Sequence, residues 1–279
     1  MIASPLDTSA FEAFEASGWE RQAPGYDGFF TEITNRTADA VLDAAGVMQG
    51  TRLLDIATGP GLVAGRGAAR GAAVVGIDIA DAMVAIARRR CPQAEFRRAD
   101  AHELPFADAS FDAVTGNFAI LHLGRPDQAV RECARVLAPG GTLALTVWDE
   151  PERTALFGAL LGALDACGAA PPADIPAGPA FFRFSADNEF RALLAGSGLD
   201  HVTVETISFV HRVSTVDELW NGIIEGTVRT SALVSGQPPI TQHRIRDAYA
   251  DILEHYRQGD TLDLPTSVKL AAGTTPQTA

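Results

Sequence analysis

Residues Leu53-Leu54-Asp55-Ile56-Ala57-Thr58-Gly59-Pro60-Gly61 restrict the fold of this chain more than any other stretch. Two apolar residues run into an aspartate, and a Gly-x-Gly turn follows four residues later. Beyond the turn, Leu62 to Arg70 is alanine-rich and free of proline, as a helix requires. The pattern predicts a buried strand, a tight loop and a helix start. Glycine leaves no side chain in the way and accepts positive φ, so backbone there can pass close to a ligand. The aspartate falls at the carboxyl end of the strand, where open α/β sheets bind ligands.

The same rhythm continues through the next ninety or so residues. Strands are predicted at 52–57, 73–79, 94–99, 111–116 and 142–147, the last preceded by the turn Pro139-Gly140-Gly141. Helix-compatible segments at 62–70, 80–90 and 126–137 alternate with them. Such alternation implies a parallel sheet covered by helices on both faces. Ahead of it, 11–46 reads as two helical pieces broken at Pro24-Gly25. Behind it, prolines at 171, 172, 176 and 179 mark a loop, Asp187 is a candidate N-cap for a helix to Gly196, and 201–213 reads as a long strand. Helices over 215–226 and 241–258 flank a loop at 236–239. Ser267 to Ala272 is a final short strand with a disordered tail.

Charge narrows the partners. With 22 Lys and Arg against 35 Asp and Glu, the net charge is −13. Nucleic-acid affinity draws on counterion release to basic side chains, so no nucleic acid is expected. The basic cluster Arg88-Arg89-Arg90 with Arg97-Arg98 reads as a solvated helix end. Cys91, Cys133 and Cys167 form no CxxC pair, which fits reduced thiols in a cytoplasm. Met1 to Ala10 holds no basic region followed by an apolar one, so no secretory signal is expected. No apolar run is long enough to span a membrane. No His and carboxylate cluster has ligand spacing, so no metal is expected.

Gly59, Gly61 and Ala64 would satisfy a dinucleotide fingerprint, which keeps a nicotinamide-dependent oxidoreductase as an alternative. Three acids argue for another ligand. Asp55 precedes Gly59 where nicotinamide-binding folds usually run apolar. Asp78, in Gly76-Ile77-Asp78-Ile79, closes the second strand and can accept from both hydroxyls of a ribose. Asp100, in Arg98-Ala99-Asp100-Ala101, closes the third and can accept from an exocyclic adenine amine. Together with Leu104-Pro105-Phe106, Ser110-Phe111-Asp112 and Val136-Leu137-Ala138-Pro139-Gly140-Gly141, these segments resemble the class I S-adenosylmethionine-dependent methyltransferases, in particular the type 11 group that acts on small molecules. The resemblance covers Thr51 to Trp148. One departure is Ala57, where the family most often carries glycine.

The resemblance implies an α/β fold with a doubly wound, seven-stranded Rossmann-like sheet, an N-terminal helical lid and a helical cap insertion. The implied segments are a lid over 1–46, a core over 47–214, a cap over 215–260, and a last strand with tail over 261–279. Asp55 and the backbone of Ala57, Gly59 and Gly61 would cradle the methionine portion of S-adenosylmethionine. Asp78 would hold its ribose, and Ile79 and Met83 would sandwich the adenine. Asp100 and Ala101 would read the adenine edge, while Asn117 and Phe118 would line the floor beside the sulfonium. Trp19 and Tyr26 of the lid would cover the methionine end.

His122, further along the loop after the fourth strand, is the candidate general base, since an unperturbed imidazole titrates near neutrality. Trp220, Ile224 and Arg229 are candidate acceptor contacts, with Glu225 an alternative partner for Arg229 four residues along a helix. The implied reaction is methyl transfer to a small organic acceptor. Non-methylating chemistry with bound S-adenosylmethionine is a further alternative, because fold does not fix function. Apolar cap helices are compatible with a homodimer.

Overall fold

The computed structural model describes residues 7–277; residues 1–6 and 278–279, the outermost parts of the lid and tail segments, lie outside the described residues. In chain order the elements are α1 (Thr8–Thr34), α2 (Ala38–Ala44), β1 (Arg52–Ile56), α3 (Leu62–Ala69), β2 (Ala73–Asp78), α4 (Asp81–Arg90), β3 (Glu95–Arg98), β4 (Phe111–Asn117), α5 (Pro126–Val136) and β5 (Leu137–Trp148). There follow α6 (Ala155–Ala166), α7 (Asp187–Ala195), β6 (Asp200–Val213), α8 (Val216–Gly226), α9 (Arg229–Ser235), α10 (Pro239–Leu253), β7 (Arg257–Gln258) and β8 (Thr261–Thr274).

The chain divides into two compact units. A sheet unit gathers Thr34–Trp148, Pro179–Ile207 and the chain from Val268 onward; a helical unit gathers the chain up to Ile33, Asp149–Gly178 and Ser208–Ser267. These bounds differ from the segments read along the sequence, because the chain passes repeatedly from one unit to the other.

The sheet has the strand order β3-β2-β1-β4-β5-β8-β6, with β7 paired only to β8. β3 to β5 run parallel to their neighbours along this path, and β8 runs antiparallel to β5, from Thr142↔Thr274 to Trp148↔Val268. The central strands are apolar because helices cover both faces: Leu53, Leu54 and Ile56 of β1 are fully buried. On one face Leu42, Leu53, Val63, Val74, Val84 and Phe96 form a single cluster under α2, α3 and α4. Each such side chain contributes roughly 1.5–3 kcal/mol on burial. The tail is ordered further than the sequence reading placed it: Gly140 donates to the Thr275 carbonyl, and the Thr275 N–H to that of Gly141.

Three local expectations are corrected. Asp187 begins α7 but does not cap it. Ala186 holds the cap position, and the Asp187 carboxylate instead pairs with Lys269 Nζ at 2.8 Å. α6 occupies a stretch to which the sequence reading assigned no element; Ala155, Leu156, Phe157, Ala159, Leu160, Ala163 and Leu164 are all buried, so it lacks the polar stripe that marks an amphipathic helix. The third correction concerns Pro24-Gly25, which does not break the N-terminal helix.

α1 runs unbroken through Pro24, and the chain bends only at a 3-10 turn over Asn35–Thr37. Proline costs a helix one hydrogen bond and a clash with the carbonyl four residues back. Packing within the helical unit outweighs that cost. A Cβ on Gly25 would stand 1.9 Å from the Glu225 carbonyl oxygen, and one on Gly18 would stand 2.2 Å from Val228 Cγ1. Gly18 and Gly25 are seven residues apart, hence on one face of α1. From the other side, Gly222 and Gly226 of α8 make room for Phe29 and Phe30. The glycine at 25 therefore marks a contact, not a break. Replacing Gly25 with valine should lower stability by about 1–3 kcal/mol, the usual cost of overpacking, as measured by denaturant unfolding. A change below about 0.5 kcal/mol would show that α1 and α8 do not depend on this close approach.

Among the described residues, no helix is long and apolar enough to cross a membrane.

Candidate cofactor site

β1 carries Asp55 into the interior of the sheet unit, where the residue is only 1% exposed. Its Oδ2 accepts from Thr58 Oγ1 at 2.6 Å and its Oδ1 from Thr115 Oγ1 of β4 at 2.8 Å. The backbone of Ala64, in the first turn of α3, also bonds to it. Asp55 thus ties together the strand, the loop and the helix start. Burial pushes its carboxyl up to about 6, against the pull of these hydrogen bonds, and the charge of Asp78 adds to the rise.

The loop above it takes left-handed backbone three times, at Ala57 (φ 45°), Gly59 (φ 52°) and Gly61 (φ 81°). That explains the family's glycine at the position of Ala57, where a side chain costs roughly 1–2 kcal/mol. Gly59 and Gly61 serve different ends. A Cβ on Gly61 would press on Ala87 of α4 at 3.0 Å, whereas one on Gly59 would meet nothing within 4 Å. Gly61 brings two helices together, and Gly59 presents bare backbone to open space. The Thr58 N–H donates to the Ile77 carbonyl at 2.8 Å, which fastens the loop to β2.

Asp78 ends β2 beside this loop. Its Oδ2 accepts from the Gly59 N–H at 2.9 Å and its Oδ1 from the Ala80 N–H at 3.0 Å, so the carboxylate is held by backbone on both sides. Ile79 follows it, half-buried, and Met83 is buried one turn into α4. The basic cluster on α4 is not merely a solvated end. Arg90 donates to the Pro60 carbonyl at 2.8 Å and Arg88 to the Phe96 carbonyl at 2.7 Å. The helix that follows Asp78 thereby clamps the glycine loop.

Asp100 follows β3, and Ala101 beside it is buried. Asp100 Oδ1 accepts from both the backbone N–H and the Nδ1 of His102, at 2.8 and 2.7 Å. The His102 side-chain hydrogen bond holds the Asp100 carboxyl below its ordinary range, with burial acting in the opposite sense. Sequence reasoning missed His102. The Asp-x-His spacing was the available signal, but the histidine's burial was not visible in it.

Asn117 ends β4, and its side chain bonds within the sheet unit. Its Nδ2 donates to the Thr34 carbonyl at 3.0 Å, and its Oδ1 accepts from Thr37 Oγ1 at 2.8 Å and Thr146 Oγ1 at 2.7 Å. Its side chain pins the 3-10 turn at Asn35–Thr37 to the sheet. Its amide thus bonds protein partners at both ends. Phe118 takes φ 56°, donates its N–H to Thr146 Oγ1 at 3.0 Å, and packs against Trp148 with ring centroids 4.2 Å apart. Left-handed backbone at an aromatic residue is strained, and such strain gathers at functional sites. His122 ends a 3-10 turn (Ile120–His122), half-buried, with its ring edge-on to Phe181 at 6.0 Å.

The remaining residues singled out from the sequence belong to the helical unit. Trp19 donates its indole N–H to Glu15 Oε2 at 3.0 Å and meets Tyr26 edge-on at 5.5 Å. Trp220 packs near Tyr249, and the Ile224 carbonyl accepts from Ser231 Oγ at 2.7 Å. Arg229 does not pair with Glu225 along a helix, because α8 ends at Gly226 and α9 begins at Arg229. Its Nε lies 3.4 Å from Glu15 Oε1, with the guanidinium over the Phe11 ring at 5.1 Å.

A doubly wound sheet thus carries Asp55, Asp78 and Asp100 at or just beyond the carboxyl ends of three adjacent parallel strands. Residues 54–145 match the methyltransferase domain family. The chain is 40% identical over 118 residues to a demethylmenaquinone methyltransferase from Renibacterium salmoninarum, covering 42% of this chain and 50% of that protein. It is 33% identical over 162 residues to a ubiquinone biosynthesis O-methyltransferase from Alkalilimnicola ehrlichii, covering 56% and 64%. The chain thus spans about half to two-thirds of these relatives. In fold it is similar to the YcgJ protein of Bacillus subtilis, with a TM-score of 0.56 at 20% identity, covering 87% of this chain and 99% of that one. Residues 54–145 are thus similar to methyltransferase domains, and the chain shares its α/β fold with the YcgJ protein.

The state of Asp55 yields a pH signature. An acid whose folded pKa lies above its unfolded value stabilises the fold while protonated. That contribution is full below about pH 4 and is lost as pH rises through about 6. The shift from 3.8 to about 6 is worth on the order of 3 kcal/mol. Unfolding free energies of the wild type, relative to Asp55→Asn, should fall by about that amount between pH 4 and pH 7. A difference independent of pH would show that Asp55 is not a desolvated acid.

Proposed function

We propose that this protein transfers a methyl group from S-adenosylmethionine to a small organic acceptor. The strand order carries the reading furthest. The dinucleotide-binding order is 3-2-1-4-5-6, whereas here β8 enters between β5 and β6 and runs antiparallel to β5. Acids at the ends of β2 and β3, the matching family and the two relatives named for quinone methylation support the same conclusion.

The site suits the cofactor. Gly59 offers uncovered backbone, Asp78 an oriented carboxylate for a pair of hydroxyls, and Asp100 a carboxylate for an amine edge. When bound, S-adenosylmethionine supplies a methyl group activated by its positive sulfur. The protein's share is alignment, and well-oriented partners gain on the order of 7–11 kcal/mol that way. Exclusion of water adds to it, since a dry pocket favours dispersal of charge. His122 is our candidate for removing a proton from an acidic hydroxyl or amine of the acceptor.

Calorimetry tests the cofactor assignment. Wild-type protein should bind S-adenosylhomocysteine and show no heat with NAD(H) or NADP(H). Asp78→Asn should weaken that binding by about 10- to 100-fold, as loss of charge-assisted hydrogen bonds implies. Binding of a nicotinamide cofactor alone would make the protein an oxidoreductase. For the base, His122→Ala should lower kcat at least about 100-fold with a quinol or phenol acceptor, leaving S-adenosylhomocysteine affinity within twofold. Equal turnover across the pH range would remove His122 from the mechanism.

A further inference from the structure

We infer that His102 is a positioning residue that gives the site its preference for adenine, by fixing one oxygen of Asp100 so that the other faces the base edge. The inference rests on the S-adenosylmethionine reading above. Asp100 is about half exposed, at 45% for its side chain, whereas His102 beside it is buried at 4%. Both hydrogen bonds from His102 land on the same atom, Oδ1. Oδ2 is left for a ligand.

The histidine is itself held from behind. The Arg125 N–H, at the start of α5, points to His102 Nε2 at 3.3 Å. A nitrogen that accepts there carries no hydrogen, so the ring proton resides on Nδ1 and is donated to Asp100. Gln128 Nε2 donates to the His102 carbonyl at 2.9 Å, and Arg125 Nη1 donates to Gln128 Oε1 at 2.8 Å. The same helix ties down the rest of the loop: Glu132 accepts from the Leu104 N–H, and Arg135 donates to the carbonyls of Leu104 and Phe106. The first turn of α5 therefore sets the ring, and the ring sets the carboxylate.

An ionised carboxylate only accepts hydrogen bonds. Held in one orientation, Oδ2 welcomes the amine of adenine and repels the carbonyl oxygen that hypoxanthine carries at the same position. A carboxylate free to rotate can turn away and admit either base. His102 therefore governs discrimination between the two bases more than overall affinity.

The test compares S-adenosylhomocysteine with S-inosylhomocysteine by calorimetry on the full chain. The wild type should prefer the adenosyl compound by at least about 100-fold, as sites built around a hydrogen bond do. In His102→Phe, which keeps a ring in the buried space, that preference should fall below about tenfold. His102→Asn, whose Nδ2 can replace the donor, should retain most of it. A preference unchanged in His102→Phe, or lost equally in both variants at similar melting temperatures, would overturn the inference. Nitrogen-15 NMR of the wild-type histidines supplies a check independent of the variants: one slowly exchanging, Nδ1-protonated ring is expected, and an Nε2-protonated His102 would contradict the proposal. Absence of any S-adenosylhomocysteine binding by the wild type would instead overturn the cofactor reading itself.

Discussion

The buried carboxylate of Asp55 is the constraint from which the rest of the sheet unit's site follows. Thr58, Thr115 and the backbone of Ala64 converge on it, so strand, loop, neighbouring strand and helix start share one anchor. A carboxylate without such partners would not be tolerated there, because burial of an unpaired charge costs several kcal/mol. The loop above this anchor takes left-handed backbone at Ala57, Gly59 and Gly61, and its Gly59 N–H donates to Asp78.

The same logic of indirect action runs through the site. Asp78 is fixed by two backbone amides, Asp100 by His102, and His102 by α5. Asn117 and Thr146 fix the strained backbone at Phe118 from within the sheet. Few of these groups are free to reorganise when a ligand arrives. Preorganisation of this kind reduces the entropic cost of binding and of aligning reacting atoms.

Much of the sheet unit was legible in the sequence because its signals are local. The apolar runs ending in Asp55 and Asp78, and the segment 94–99 before Asp100, locate the first three strands within a residue or two. The rest depended on contacts between distant segments. Pro24-Gly25 reads as a break until Glu225 is known to lie against it. The bonds from Asn117 to Thr34 and Thr37, some eighty residues earlier, leave no mark in the local sequence. Asp187 reads as a cap until Lys269 draws its carboxylate away. α6 was hidden for the opposite reason: being apolar on most sides, it has no period to detect. The division into two units escaped sequence reading because each is assembled from separate stretches of chain.

If the strand-end acids bind an adenosyl group, as we propose, a crystal structure with S-adenosylhomocysteine will show ribose hydroxyls within hydrogen-bonding distance of the Asp78 carboxylate, the adenine amine facing Asp100 Oδ2, and the Gly59 backbone against the ligand. Ordered density for the compound elsewhere on the protein, with Asp78 and Asp100 untouched, would contradict it.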